Sequence, residues 1–147
     1  MAKQLRSVFG YTDFKLLDST IVRVREGVSA ETSGNAGQMD ASQPGMPPSF
    51  YQLRFKSARL TPGDKGNMIR IDGFRFGVRI PYATGSFQPG AGGQGVSPLV
   101  STQYQFSEVG FNTELDVREG QKVVVGKSKV DSSGSAFVLV VTAKAVD

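Results

Sequence analysis

The chain contains no histidine, no cysteine and no tryptophan. Without His or Cys there is no Ser-His relay, no thiol nucleophile, no zinc finger and no thiolate set for an iron–sulfur cluster. Composition therefore points away from catalysis and from any metal or cofactor. Long apolar runs are missing as well. The longest, Ala136 to Val141, is far short of the roughly 18–20 residues a membrane helix needs. The start, Met1-Ala2-Lys3-Gln4-Leu5, lacks the apolar stretch of a signal peptide. Either the protein is cytoplasmic, or a leader was removed and replaced by a start Met; an absence of cysteine fits both compartments. Clustered basic residues are also scarce. Lys+Arg outnumber Asp+Glu by 17 to 13, for a net charge of +4 and a pI near 9.5. Yet no Lys/Arg run exceeds one residue, and the nearest to a cluster is Arg23-Val24-Arg25. The excess lies in residues 1–80 (+5), against −1 for 81–147. So mild a bias does not indicate a dedicated nucleic-acid binder.

What is present is enough chain for one domain. At 147 residues a single domain buries roughly 68–70% of its unfolded surface, so no disulfide or metal staple is required. Gln4–Tyr11 reads as one short helical turn or the lead into a strand. In Phe14–Gly27, Thr20, Val22 and Val24 alternate with Arg23 and Arg25, a strand pattern. Val28–Ser49 is polar, with Met39 and Met46 its only sizeable apolar residues, and reads as a loop or arm. Phe50–Leu60 alternates Tyr51, Leu53 and Phe55 with Gln52, Arg54 and Lys56. Residues 61–67, TPGDKGN, have the composition of a turn. Met68–Ile80 changes phase: Ile69 and Ile71 are odd, whereas Phe74, Phe76, Val78 and Ile80 are even. Asp72-Gly73 at the switch predicts a bulge or tight turn.

Ser86–Pro98 carries Gly90, Gly92, Gly93 and Gly95 and reads as a second, Gly-rich loop. Two alternating runs follow, Thr102/Tyr104/Phe106 and Phe111/Thr113/Leu115/Val117. Lys122–Val130 and Ala136–Val146 form a hairpin pair around Asp131-Ser132-Ser133-Gly134. Both faces of the last strand are apolar, which predicts a central place between two layers. About seven strands without a long helix make a single-domain, all-β fold. The expectation is an antiparallel β-sandwich, Ig-like or secretin-like, with two long loops at 28–49 and 86–98. One echo occurs, Val24-Arg25-Glu26-Gly27 and Val117-Arg118-Glu119-Gly120, and reads as a strand-end turn used twice.

Candidate chemistry is thin. Glu114 and Asp116 share one strand face, where alternating charge on a solvated face accounts for them. Asp131 to Gly134 and Asp64 to Asn67 lack the ligand density of a calcium loop. The Gly-rich stretch has no phosphate-loop spacing and no following helix. The basic face is more informative. If Gly73 absorbs the phase change, Arg70, Arg75 and Arg79 point one way, with Arg54 and Lys56 beside them. Such a face must be solvated, paired with acids, or covered by an acidic chain or anionic polymer. No aromatic ladder interleaves it, which counts against single-stranded nucleic acid.

Gly77-Val78-Arg79-Ile80-Pro81-Tyr82-Ala83-Thr84-Gly85-Ser86 resembles a G-x-x-(V/I)-P-(Y/V)-x-T-G segment of the C-terminal β-domain of bacterial secretins. These are the outer-membrane ring channels of type II secretion and type IV pili. Residues 102–111, TQYQFSEVGF, are similar to that family's Y-x-D-V-G strand entry. Residues 119–126, EGQKVVVG, are similar to its later D-G-Q-x-V-V-(I/L)-G turn and strand. The order is kept over roughly residues 74–127, but the insert that separates the family's second and third motifs is absent here. The resemblance implies a bacterial envelope or extracellular protein whose strands join a multi-copy β-assembly, and not a pore by itself.

The reading is a non-enzymatic structural protein that pairs with copies of itself, or with an envelope assembly, through edge strands or an exchanged arm. The contact candidates are Arg54, Lys56, Arg70, Arg75, Arg79, Pro81, Tyr82 and Tyr104. The alternative is a module for cell-surface polysaccharide or another anionic polymer, with Tyr51, Tyr82 or Tyr104 as its stacking platform.

Overall fold

In chain order the elements are α1 (Ala2–Phe9), β1 (Ala30–Gly37), β2 (Ser49–Phe55), β3 (Ser57–Thr61), β4 (Met68–Phe87), β5 (Ser101–Arg118), β6 (Lys122–Lys129) and β7 (Ala136–Thr142). They come from a computed structural model, which describes residues 2–9, 13–38, 45–87, 101–129 and 136–146. β2 and β3 both lie antiparallel to β4 in one continuous register, with Arg54 opposite Arg75 and Ser57 opposite Asp72. They are one strand bent at Lys56. β1 pairs with the outer edge of β2, and β5 with the outer edge of β4. The larger sheet thus runs β1, β2/β3, β4, β5, all antiparallel. β6 and β7 form a second, two-stranded antiparallel sheet. The two sheets make the all-β sandwich that the alternation predicts.

The core lies between the sheets. Ile69, Ile71, Phe74, Phe76, Val78, Leu115 and Val117 line the inner face of the large sheet and are buried. Phe137 of β7 joins the layers, its ring 5.9 Å from Phe76 and 5.6 Å from Phe111, both edge-on. Such pairs add about 0.5–1.5 kcal/mol each beyond the area they bury. The phase switch on β4 is a bulge, as its sequence predicts. Ile71 faces Leu115 but Phe74 faces Thr113, so β4 holds one residue more than β5. Gly73 takes φ +63° there, and its N–H donates to Glu114 Oε2 at 2.8 Å. That bond satisfies the amide the bulge removes from the ladder. The expected runs 102–106 and 111–117 are parts of the single strand β5, and the β6–β7 hairpin is present.

Three expectations are corrected. The polar tract 28–49 is not all loop, since its residues 30–37 are strand β1. A ladder is held by main-chain bonds, so small polar residues can pair wherever a neighbouring edge is free. Here the Tyr51 ring also covers Gly34, where a Cβ would stand 2.3 Å from the tyrosine oxygen. Phe14–Gly27 belongs to no ladder, and its last two residues are a turn. Its alternation does set burial: Val22 and Val24 are half-buried, while Arg23 and Arg25 are exposed. A strand needs a partner edge as well as a pattern. Finally, β7 is not central, because among the described residues it pairs with β6 alone. Phe137 is buried and Val138 to Val141 are half-buried, so two apolar faces did not imply two covering layers. Residues 39–44 and 88–98 of the two expected loops, and the turn 131–134, lie outside the described residues.

The echo is a turn used twice, at the end of β5 in the second copy but after a segment in no ladder in the first, and both copies dock in the same way. Val28 N–H donates to Arg25 O at 3.2 Å and Gln121 N–H to Arg118 O at 3.0 Å. Gly27 and Gly120 take φ +78° and +76°, the left-handed region a type II turn requires at its third residue. Gly27 N–H then donates to Ala58 O, and Gly120 N–H to Ala143 O, both at 2.9 Å. Two residues on, Glu26 Oε1 accepts from Leu60 N–H at 3.0 Å and Glu119 Oε1 from Ala145 N–H at 2.9 Å.

Candidate interaction site

The outer face of the large sheet carries the five expected cations. The bulge puts Arg70, Arg75 and Arg79 on the solvent side of β4, and Arg54 and Lys56 are exposed beside them. These five lie on the two central strands, where Asp72 also stands. Carboxylates stand on the flanking ones: Glu31 on β1, and Glu108, Glu114 and Asp116 on β5. Register makes the rungs explicit, with Glu31–Arg54–Arg75–Asn112 in one row and Asn35–Phe50–Arg79–Glu108 in another. Arg79 Nε lies 3.6 Å from Glu108 Oε2, and Arg70 Nε 3.1 Å from Asp72 Oδ1. Ser57 Oγ also donates to Asp72 at 3.0 Å. The Arg70 guanidinium and this hydroxyl hold the Asp72 carboxyl below its ordinary range. Glu31 accepts from Gln52 Nε2. Among the described residues Arg54 and Arg75 have no carboxylate within ion-pair distance. Of the five cations, Arg70 and Arg79 are therefore paired, while Arg54, Arg75 and Lys56 have no ion pair among the described residues.

The Arg54–Arg75 pair borders a depression of about 80 Å³, lined by Gln52, Arg54, Arg75, Gly77 and Glu108. Small-ligand pockets occupy roughly 300–1,000 Å³, so this hollow suits a side chain or a few waters. Glu114 is engaged with the bulge amide, and Asp116 faces Arg70. No three carboxylates among the described residues converge to hold a metal ion.

The remaining candidates lie where β4 outruns its sheet. The last β2 pair is Phe50 with Arg79; beyond it β4 pairs with β5 alone, from Ile80 opposite Ser107 to Phe87 opposite Ser101. Pro81 stands one step past the point where β4 becomes an edge, which is where a residue without an N–H is tolerated. Pro81 itself is buried and Tyr104 half-buried. Tyr82 is 45% exposed, and its hydroxyl donates to Gln105 Oε1 at 3.0 Å. Phe106 (47%) and Phe50 (44%) are exposed nearby. Sequence reasoning missed both phenylalanines. Both stand on the outer face of the sheet, Phe50 opposite Arg79 and Phe106 two residues from Glu108, a side that strand alternation assigns to solvent and not to a covering layer.

Tyr51, the third tyrosine, is buried. Burial, and then its hydrogen bond to Asp18, push its phenol up. The tyrosines therefore do not form one exposed row. Among the described residues no helix is long and apolar enough to cross a membrane. Fold and surfaces together define an antiparallel β-sandwich domain whose notable features are strand edges and a charged face. No family model, no curated protein and no solved structure matches the chain.

Proposed function

We propose that this chain is a non-enzymatic structural protein that assembles with copies of itself, or docks into a bacterial envelope or cell-surface assembly such as a ring or filament. The observation that carries the reading is the two-stranded ribbon formed by residues 80–87 and 101–107. It extends roughly 20–25 Å past the sheet at about 3.3 Å per residue. An isolated two-stranded ribbon is marginal in water, and this one presents Tyr82, Phe106 and open strand edges. Neighbouring subunits would cover those groups and complete the ladders. The secretin-like segments 77–86 and 102–111 are the two strands of this ribbon and its base, which fits a shared role in multi-copy β-structure.

Light scattering and negative-stain microscopy across a concentration series test the reading. A defined oligomer, ring or filament is expected. A 15.7 kDa monomer at every concentration removes self-assembly.

A further inference from the structure

The depression on the outer face has a cause in the register. Between the row Glu31–Arg54–Arg75–Asn112 and the row Asn35–Phe50–Arg79–Glu108 lies a third, Ser33–Gln52–Gly77–Gly110. Two neighbouring places in it carry no side chain, and a glycine inside a strand often marks where another group comes close. The hollow of about 80 Å³ there has Arg54 and Arg75 on one side and Glu108 on the other. Glu108 leans over Gly77, where a Cβ would stand 3.1 Å from its Oε1. Arg54 and Arg75 face each other across the ladder, and like charges so placed repel. Neither has an ion pair among the described residues. The hollow is thus exposed, sized for a short side chain, and positive at one rim and negative at the other.

The complement is carried by the turn that joins β3 to β4. Gly66 N–H donates to Gly63 O at 3.1 Å, so Asp64 and Lys65 are the two central residues of a tight turn. Both are exposed, and a glycine on either side keeps the tip narrow. Gly66 takes φ +107°, which holds the turn in a shape other residues rarely adopt. Glu26, Glu31, Asp72, Glu108, Glu114 and Glu119 are each engaged by a neighbour. Asp64 has no such partner among the described residues. The tip cannot reach the hollow of its own chain. Arg75 stands roughly 25 Å up β4 from the turn, at about 3.3 Å per residue.

We infer that the hollow receives the Asp64–Lys65 turn of a second copy of this chain. The Asp64 carboxylate enters between the Arg54 and Arg75 guanidiniums, and the Lys65 ammonium meets Glu108. The inference rests on the assembly reading and names the contact within it. Adjacent charges of opposite sign on the tip match the two rims of the hollow, and Gly77 leaves room for the tip to approach the sheet. Tip and hollow are different surfaces, so the contact is heterologous. Repeated from copy to copy, it closes into a ring or runs on as a filament. An ionic contact this small sets orientation and rejects wrong partners more than it supplies affinity. The apolar groups of the ribbon supply the remainder.

Charge exchange on the full chain tests this, read by light scattering across a concentration series. D64K sets two lysines against the arginines. R75E gives Arg54 a partner within its own sheet and turns the hollow acidic. Each variant alone should raise the concentration at which assembly is half complete by roughly tenfold or more. Tm should stay within about 2 °C of wild type, since both positions are exposed. The double variant D64K/R75E should recover assembly, because the reversed tip matches the reversed hollow. An equimolar mixture of the two single variants should recover it as well, with unaltered tips meeting unaltered hollows at alternate junctions. Assembly that neither variant weakens, or that both weaken without recovery, overturns the contact and leaves the assembly reading standing. Weakening by R75E but not by D64K also overturns it, and shows that the hollow takes a different acidic group. A wild-type chain that is monomeric at every concentration removes the assembly reading and the contact with it.

Discussion

Glu119 ties together three segments that are far apart in sequence. Its Oε2 accepts from Asn67 Nδ2 at 2.9 Å, its Oε1 accepts from Ala145 N–H, and its own N–H donates to Asn67 O at 3.0 Å. The Asn67 amide, then the Ala145 N–H, hold its carboxyl below the ordinary range. A carboxyl depressed in the folded state stabilises the fold above its unfolded pKa, and that contribution is lost as pH falls through the depressed folded value. Asp72 follows the same sign through Arg70 and Ser57. E119Q should therefore lower Tm at pH 7, and the gap to wild type should narrow as melts are repeated in acid below the ordinary carboxylate range. A gap that does not change with pH would deny Glu119 this role. Gly110 sets a different limit. A Cβ there would stand 2.0 Å from Phe76 O and 2.8 Å from Gly77 Cα, both backbone atoms that cannot rotate away. G110A should cost about 1–3 kcal/mol, read as a lower urea midpoint at unchanged slope.

At the scale of elements, Phe137 is the buried side chain that the small sheet sends into the core, beside the partly buried Val123, Val125, Leu139 and Val141. Phe137 is 6% exposed and meets both Phe76 and Phe111. F137A should cost about 3–5 kcal/mol. The loss should appear first as faster amide exchange in β6 and β7, with β4 and β5 still protected. Uniform loss of protection would mean that the sheets unfold as one unit. β4 shows how an element can take two roles. Up to Arg79 it is a central strand between β2/β3 and β5, and from Ile80 it is half of a ribbon. Pro81 marks the change, because an edge can lose one donor where a central strand cannot.

For the whole molecule, the charged face and the ribbon make different demands on a partner. Exposed ion pairs such as Arg79–Glu108 add little to stability, but alternating rows of cations and acids restrict how two such faces can meet. Apolar groups on the ribbon supply the driving force for contact. The double variant Y82S/F106S should shift light-scattering populations toward monomer while leaving Tm within about 2 °C, since substitutions at exposed positions stay near ±0.5 kcal/mol. Loss of folding instead would show that the ribbon belongs to the core of the subunit.

The class of fold was legible in the sequence because strand alternation is local and a core face needs only that pattern. Alternation put Tyr51/Leu53/Phe55 and Leu115/Val117 each on one face, and the parity change placed a bulge or tight turn at Asp72-Gly73, where the structure has the bulge. Turn chemistry marked 61–67 and both Glu-Gly turns. Pairing was not legible, because a ladder depends on which edges meet and not on which side chains are apolar. That is why a polar tract became β1, an alternating arm joined no ladder, and an apolar strand ended at an edge. The charged face was half-readable: the cations share one strand surface by parity, but the flanking acids come from strands placed beside them only by the fold. The repeated Glu-Gly turn has the same character. Four residues repeat visibly in the sequence, whereas the docking of both turns exists only once the chain is folded.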